Sequence, residues 1–214
     1  AVVLLILTLF TQGCSTTLTE ESEQRSESED KTEVTLPSKE VPSSTLMKDS
    51  PLSPLNLDEY LFLEDCLYFD TRDVNQFIEE GHVAGFVNIP FYGVLVDYEA
   101  HDNVLFTMQK VKDENGKLTA NLGDVGSFTA NFKESESIIR YLFPTDKKLV
   151  FISTAGVEAT YLMNLLVQLG YDPVNLYNAG SFSNPMGNII AYRTYEQAKH
   201  LVEGTNAYTV QVQF

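Results

Sequence analysis

Six residues, Ser153, Thr154, Ala155, Gly156, Val157 and Glu158, separate a continuous apolar run at 149–152 from Leu162, Met163, Leu166 and Leu169, which recur at helical spacing. A run of that kind reads as a buried parallel strand, and the spacing after it reads as a helix, with Gly170 placed to end it. A strand that passes through a tight loop into a helix aims several backbone N–H groups and the positive end of the helix dipole at one point, which makes an anion cradle. The side chains then restrict what the cradle can do. Serine at the first position is a weak nucleophile without a base beside it. Glutamate at the last position suits the helix dipole but repels an anionic ligand. The Gly-x-Ser-x-Gly signature of a nucleophile elbow is absent, since the serine is flanked by Phe151, Ile152, Thr154 and Ala155. No Ser, Asp, His order is apparent either.

The remaining candidates for chemistry are few. The chain has two cysteines, Cys14 and Cys66, and three histidines, His82, His101 and His200. Two cysteines that far apart supply neither a disulfide framework nor a zinc ligand set, so no metal and no cofactor is expected. Cys66 falls within an apolar run and reads as a small buried hydrophobe rather than a reactive thiol. His82 reads as a hydrogen-bonded structural histidine, because no nucleophile or metal partner accompanies it in sequence. His101 and His200 read as surface residues.

Several elements must position these residues. A short helix at 57–63 and a strand at 66–69 open the folded part; Asp70 or Thr71 can cap a helix over 74–79 that Gly81 ends. A strand at 86–89 stops at Pro90. Residues 104–111 and 117–122 flank Asp113-Glu114-Asn115-Gly116, the signal of a hairpin, which would lie beside the loop as a lid, a docking surface or an edge decoration. Helical signals return over 134–143 until Pro144, and the central strand follows. After the loop helix a strand is expected at 174–177 and a helix near 195–201. Residues 208–214 alternate apolar and polar side chains, the period of a half-buried strand.

Three ordered blocks give this pattern a resemblance. FDTRDVNQFIEEGHVAGFVNIP, beginning at Phe69, is similar to the first signature of the rhodanese-like sulfurtransferases, an Asp-x-Arg followed by a short helix, then Gly-His-x-x-Gly and Asn-Ile-Pro. KLVFISTAGVEATYLMNLLVQLG, beginning at Lys148, resembles the active loop of that family, and LGYDPVNLYNAG, beginning at Leu169, resembles its return strand and glycine turn. The match spans about residues 57–180 with an insertion at about 91–132. The resemblance implies an α/β fold, a central parallel sheet flanked by helices, here carrying an inserted β-hairpin and a C-terminal extra strand. It also implies that Asp70, Arg72 and His82 tie the first helix to the following strand, with Glu79 or Glu80 as partner of Arg72. In the family the loop opens with a cysteine that accepts sulfur as a persulfide, and it commonly ends in arginine or another residue suited to an anion. Ser153 and Glu158 stand at those positions. A hydroxyl cannot form a persulfide. The expected site is therefore a vestigial active loop, residues 153–158, with no catalytic residue.

Ahead of this domain the composition changes. Residues 1–14, AVVLLILTLFTQGC, are apolar through Phe10 except for Thr8 and then turn small and polar. Ten residues, nine of them apolar, fall short of the ~30 Å hydrocarbon core of a bilayer, so the stretch reads as a signal-peptide h-region. Gly13-Cys14 directly after it resembles a bacterial lipoprotein cleavage site, so Cys14 is the expected acylation (palmitate) site and the protein an extracytoplasmic, membrane-anchored lipoprotein, on the cell surface or the periplasmic side; simple secretion is the alternative. Residues 15–54 are rich in Ser, Thr, Glu, Pro and Lys and read as a disordered acidic linker to a domain at 55–214. A formal net charge of −16 argues against nucleic acid and anionic lipid surfaces as partners. The expected function is a membrane-tethered, catalytically inactive module that binds a protein or small-molecule partner or acts as a scaffold. The alternatives are an active sulfurtransferase and a serine-dependent hydrolase using Ser153.

Overall fold

Strand β7, Lys148–Ser153, explains most of the architecture, because every residue after Lys148 is buried. The computed structural model describes residues 34–39, 45–109, 127–184 and 190–205. Along β7 the side chains alternate between two cores: Leu149 and Phe151 join one, Val150 and Ile152 the other. A strand with apolar residues on both faces needs a covered sheet on both sides. Its neighbours are β1, Cys66–Asp70, and β8, Leu176–Ser181; β3, Val87–Asn88, forms the outer edge, giving the order β3-β1-β7-β8 with every pairing parallel. This is a mixed α/β fold with a central parallel sheet.

The first core is covered by α2, Ser135–Leu142, and α3, Val157–Gln168, through Ile139, Leu162, Met163, Leu165 and Leu166. A second sheet packs against it, made of β4, Val96–Asp97, β5, Phe106–Met108, and β6, Phe128–Ala130; β5 and β6 are antiparallel. The amide of Gln168 ties this sheet to α3 by accepting from the Phe128 N–H at 2.9 Å and donating to the Phe128 carbonyl at 2.7 Å. The antiparallel partner of the first hairpin arm is thus residues 128–130; the expected second arm, 117–122, lies outside the described residues, as does the expected strand at 208–214.

Among the described residues, the second core has no long helix over it. Leu36, Leu52, Leu57 and Leu61 cover it, together with Val83, Phe86, Phe182 and Tyr192. Leu36 and Leu52 are 6% and 1% exposed, and both fall in the stretch expected to be a disordered linker. For residues 34–39 and 45–54 that expectation does not hold. Lys39 Nζ donates to the Pro173 carbonyl at 2.5 Å and stands 5.0 Å from the centre of the Tyr177 ring, and Thr45 Oγ1 donates to Asn164 Oδ1 at 2.9 Å. Two leucines in a polar stretch do not raise local hydrophobicity enough to be read as core, yet each finds an apolar face. Residues 1–33, which include Cys14, lie outside the described residues, and among the described residues no helix is long and apolar enough to cross a membrane.

Local details also depart from expectation. Asp73, not Asp70 or Thr71, caps α1, Val74–Glu79, accepting from the Asn75 N–H at 2.8 Å. Asp70 is engaged elsewhere, and Thr71 is bound to the Ile152 carbonyl. The opening helix is a short 3-10 turn, Leu57–Tyr60; a capped 3-10 turn, Pro173–Asn175, replaces the start of the strand expected at 174–177. No helix forms over 195–201. Instead Asp58 accepts from the Lys199 N–H at 2.7 Å and from the Tyr192 hydroxyl, which holds turns there, and β9, Leu201–Val202, pairs with β2, His82–Val83.

Burial pushes the Cys66 thiol up to about 12 and raises the phenols of Tyr68, Tyr171, Tyr177 and Tyr192. In the unfolded chain these groups ionise at roughly 8.5–10. Their contribution to stability is full below that range and is lost progressively as pH rises from there towards the higher folded values, because the unfolded state releases protons first. Lys39, lowered by burial to about 8, acts oppositely, adding stability from there to the ordinary lysine range near 10.5. One amine opposes five acids, so the denaturant midpoint is expected to fall between pH ~9 and pH ~11. An unchanged or rising midpoint across that interval would contradict the burial of these side chains.

Candidate functional site

The loop is shorter than its sequence reading. Ser153 is the last residue of β7, only 154–156 are irregular, and Val157 and Glu158 already belong to α3. Gly156 makes this turn at φ 80°, the left-handed region that favours glycine. A Cβ there would also collide with Met47 Sδ, whose side chain lies against the loop. Met47 belongs to the segment expected to be linker.

The carboxyl end of β8 secures the loop from the other side. Asn178 Nδ2 donates to the Gly156 carbonyl at 2.9 Å and its Oδ1 accepts from the Gly180 N–H at 2.9 Å. The Phe182 N–H donates to the Ser153 carbonyl at 2.8 Å, and the Asn184 N–H and the Ser181 hydroxyl donate to the Thr154 carbonyl, each at 2.9 Å. Residues 180–184 therefore border the loop; 185–189 lie outside the described residues.

Ser153 is 0% exposed, and among the described residues its Oγ has no hydrogen-bond partner. Among the described residues no base contacts the hydroxyl, the contact that would activate it as a nucleophile. Thr154 is half-buried, its Oγ1 at 3.4 Å from Gln76 Oε1; Ala155 is buried. Val157 and Glu158 are half-buried. The first turn of α3 leaves N–H groups without intrahelical partners, and Glu158 places negative charge in that same turn, where it complements the dipole from within. Its Oε2 is enclosed and without a partner among the described residues.

Asp70 and Arg72 form a fully buried pair at the carboxyl end of β1. Arg72 Nε and Nη2 reach Asp70 Oδ2 at 3.0 and 2.7 Å, and the Arg72 N–H reaches Asp70 Oδ1 at 3.0 Å. Arg72 also donates to the Gly81 carbonyl at 2.7 Å and to Glu80 Oε2 at 3.2 Å, so of the two expected glutamates Glu80 is the partner. The guanidinium lies 3.6 Å from the centre of the Phe182 ring, and Phe182 is the residue whose N–H closes on Ser153. Arg72 thus supports the loop indirectly, through a ring. His82 stacks on Phe77 at 4.0 Å with an 11° interplanar angle, its Nδ1 3.3 Å from the Phe77 carbonyl, well suited to a structural role. His101 is exposed, whereas His200 is half-buried against Phe62.

The one described thiol is remote from the loop. Cys66 pairs with Lys148 at the amino end of the sheet, while Ser153 stands at the carboxyl end, five residues along β7 and so roughly 16 Å away at the usual rise. Its raised pKa, caused by burial and then by the hydrogen bond to Asp65, keeps it a thiol.

Three tyrosines escaped the sequence reading. Tyr161 follows Glu158 by one helical turn, and Tyr92 and Tyr98 come from the insertion, their hydroxyls 2.9 Å apart. The Glu158-to-Tyr161 spacing was visible as a same-face pair; the approach of the insertion was not. Among the described residues no group of three His, Cys, Asp or Glu side chains is arranged to hold a metal. Comparison with family models, with curated proteins and with solved structures gives no match in any of the three.

Proposed function

We propose that this chain carries a rhodanese-like domain that has lost sulfur-transfer chemistry and serves as a binding module, held outside the cytoplasm by lipid on Cys14. The observation that carries the reading is Ser153: a hydroxyl that is enclosed and, among the described residues, unpartnered, at the carboxyl end of the central strand, where the resemblance places a persulfide-forming cysteine. The parallel order β3-β1-β7-β8 supports the scaffold, as does the Asp70–Arg72 pair at the end of β1. Glu158 adds to the loss, since its charge opposes thiosulfate at the turn that would have to accept it.

The site is closed as well as lacking its thiol, which gives a discriminating test. Ser153→Cys is expected to leave thiosulfate-to-cyanide sulfur transfer at background, because the new thiol would occupy the same enclosed position. Transfer by that variant would show the cradle still admits the anion and would overturn the closed-loop part of the reading. The anchor is tested separately: Cys14→Ser should move the full-length precursor's product from the membrane to the soluble fraction, and retention at the membrane would remove Cys14 from the account.

A further inference from the structure

The surroundings of Glu158 suit a ligand of the opposite charge from a sulfurtransferase substrate. Glu158 and Tyr161 lie one turn apart on α3, which brings their Cβ atoms to roughly 5–6 Å on one face. From Tyr161 an unbroken run of rings leads outward: Phe91 is 6.1 Å from Tyr161, Tyr92 is 4.9 Å from Phe91, and Tyr98 is 5.6 Å from Tyr92. The hydrogen bond between the Tyr92 and Tyr98 hydroxyls fixes the outer two rings. Both are 39% exposed, so aromatic surface is open to solvent at the outer end of the run, while at its α3 end Glu158 has an enclosed Oε2 with no donor among the described residues. Asp97, which accepts from the Tyr98 N–H at 2.6 Å, adds negative charge to the same rim; His101 faces it at 3.6 Å.

We propose that Glu158 with Tyr92, Tyr98 and Tyr161 forms a binding site for an organic ammonium ion. The rings offer negative π faces to the cation, and the carboxylate supplies the counter-charge. A nearby ammonium charge would also stabilise the carboxylate electrostatically, whose Oε2 has no donor among the described residues. The chain's charge of −16 draws cations towards it over long range. Glu158 and Tyr161 shift Tyr92 in the same sense: its phenol is raised first by burial, then by Tyr98, and then by Tyr161 and Glu158. The site rests on the non-catalytic reading only in being its ligand; sulfur-transfer activity and ammonium binding are measured separately and fail separately.

The test titrates the full chain with choline and with its uncharged tert-butyl analogue, following tyrosine ring resonances. Choline should bind saturably and the neutral analogue at least about tenfold more weakly. Glu158→Gln should weaken choline by at least about tenfold, Tyr161→Leu by several-fold, and Tyr161→Phe, which keeps the ring, hardly at all. Each variant's melting curve confirms folding, and Tyr161→Phe keeps the test valid if the leucine variant unfolds. A trimethyllysine peptide in place of choline distinguishes a group carried on a partner chain, if it binds more tightly, from a free metabolite, if it does not; both keep the ammonium site. Equal binding of choline and the neutral analogue, indifference to Glu158→Gln, or no saturable choline binding would overturn the proposal.

Discussion

Arg72→Ala is expected to lower the free energy of unfolding by about 3–5 kcal/mol, the range for removing one partner of a buried ion pair. The alanine would strand the Asp70 carboxylate, whose relative side-chain exposure is 0%, and would leave the Gly81 carbonyl without its donor. It would also remove the cation over Phe182 and so loosen the residue that closes on Ser153. Arg72→Lys should recover only part of the loss, because a single ammonium cannot reproduce a planar fork reaching Asp70, Glu80 and Gly81. The measurement is the denaturant midpoint at constant slope. A loss below about 1 kcal/mol would mean that the pair is solvated in solution and not the buried link between strand and loop.

Removing residues 1–54 is expected to be as damaging, although it cuts where composition places the domain boundary. Leu36 and Leu52 would both be lost from the second core, at about 1.5–3 kcal/mol each. Leu57, Leu61, Val83, Phe86, Phe182 and Tyr192 would remain, but Val150, Ile152 and Tyr177 of the same cluster would lose part of their cover. Met47 would leave the loop, and Lys39 would leave Pro173 and Tyr177. A loss of that size is a large fraction of the usual stability of a domain, so the shortened chain should unfold at much lower denaturant or fail to fold. A chain beginning at residue 34 keeps Leu36 and Leu52 and should be more stable than one beginning at residue 55 by that amount. Equal midpoints for chains beginning at 34 and at 55 would restore the linker reading for these residues.

What the sequence reveals follows from the range of the interactions involved. The apolar run of β7, the helical period of α3 and the positions of Gly81 and Gly156 are local patterns, and the sheet and its loop are legible from them. The resemblance marks Asp70 and Arg72 as residues that tie helix to strand, with Glu79 or Glu80 expected as the partner of Arg72; the buried Asp70–Arg72 pair and its packing against Phe182 were not expected. The N-terminal leucines are illegible because burial depends on what lies opposite, and polar neighbours such as Thr35 and Ser53 mask them. Residues 195–201 carry a helix-compatible composition, but the long-range bonds to Asp58 override it. The same reason hides the tyrosine cluster: the Tyr161 ring of α3 meets Phe91 of the insertion, and through it Tyr92 and Tyr98, and no periodicity records that meeting.

The central claim, that an oxygen stands where sulfur transfer needs sulfur, is tested most directly by incubating the folded chain with thiosulfate, adding cyanide and measuring thiocyanate. The account predicts turnover equal to the protein-free control, unchanged by Ser153→Ala and by Cys66→Ser. Thiocyanate formed above that control and abolished by either substitution would contradict it.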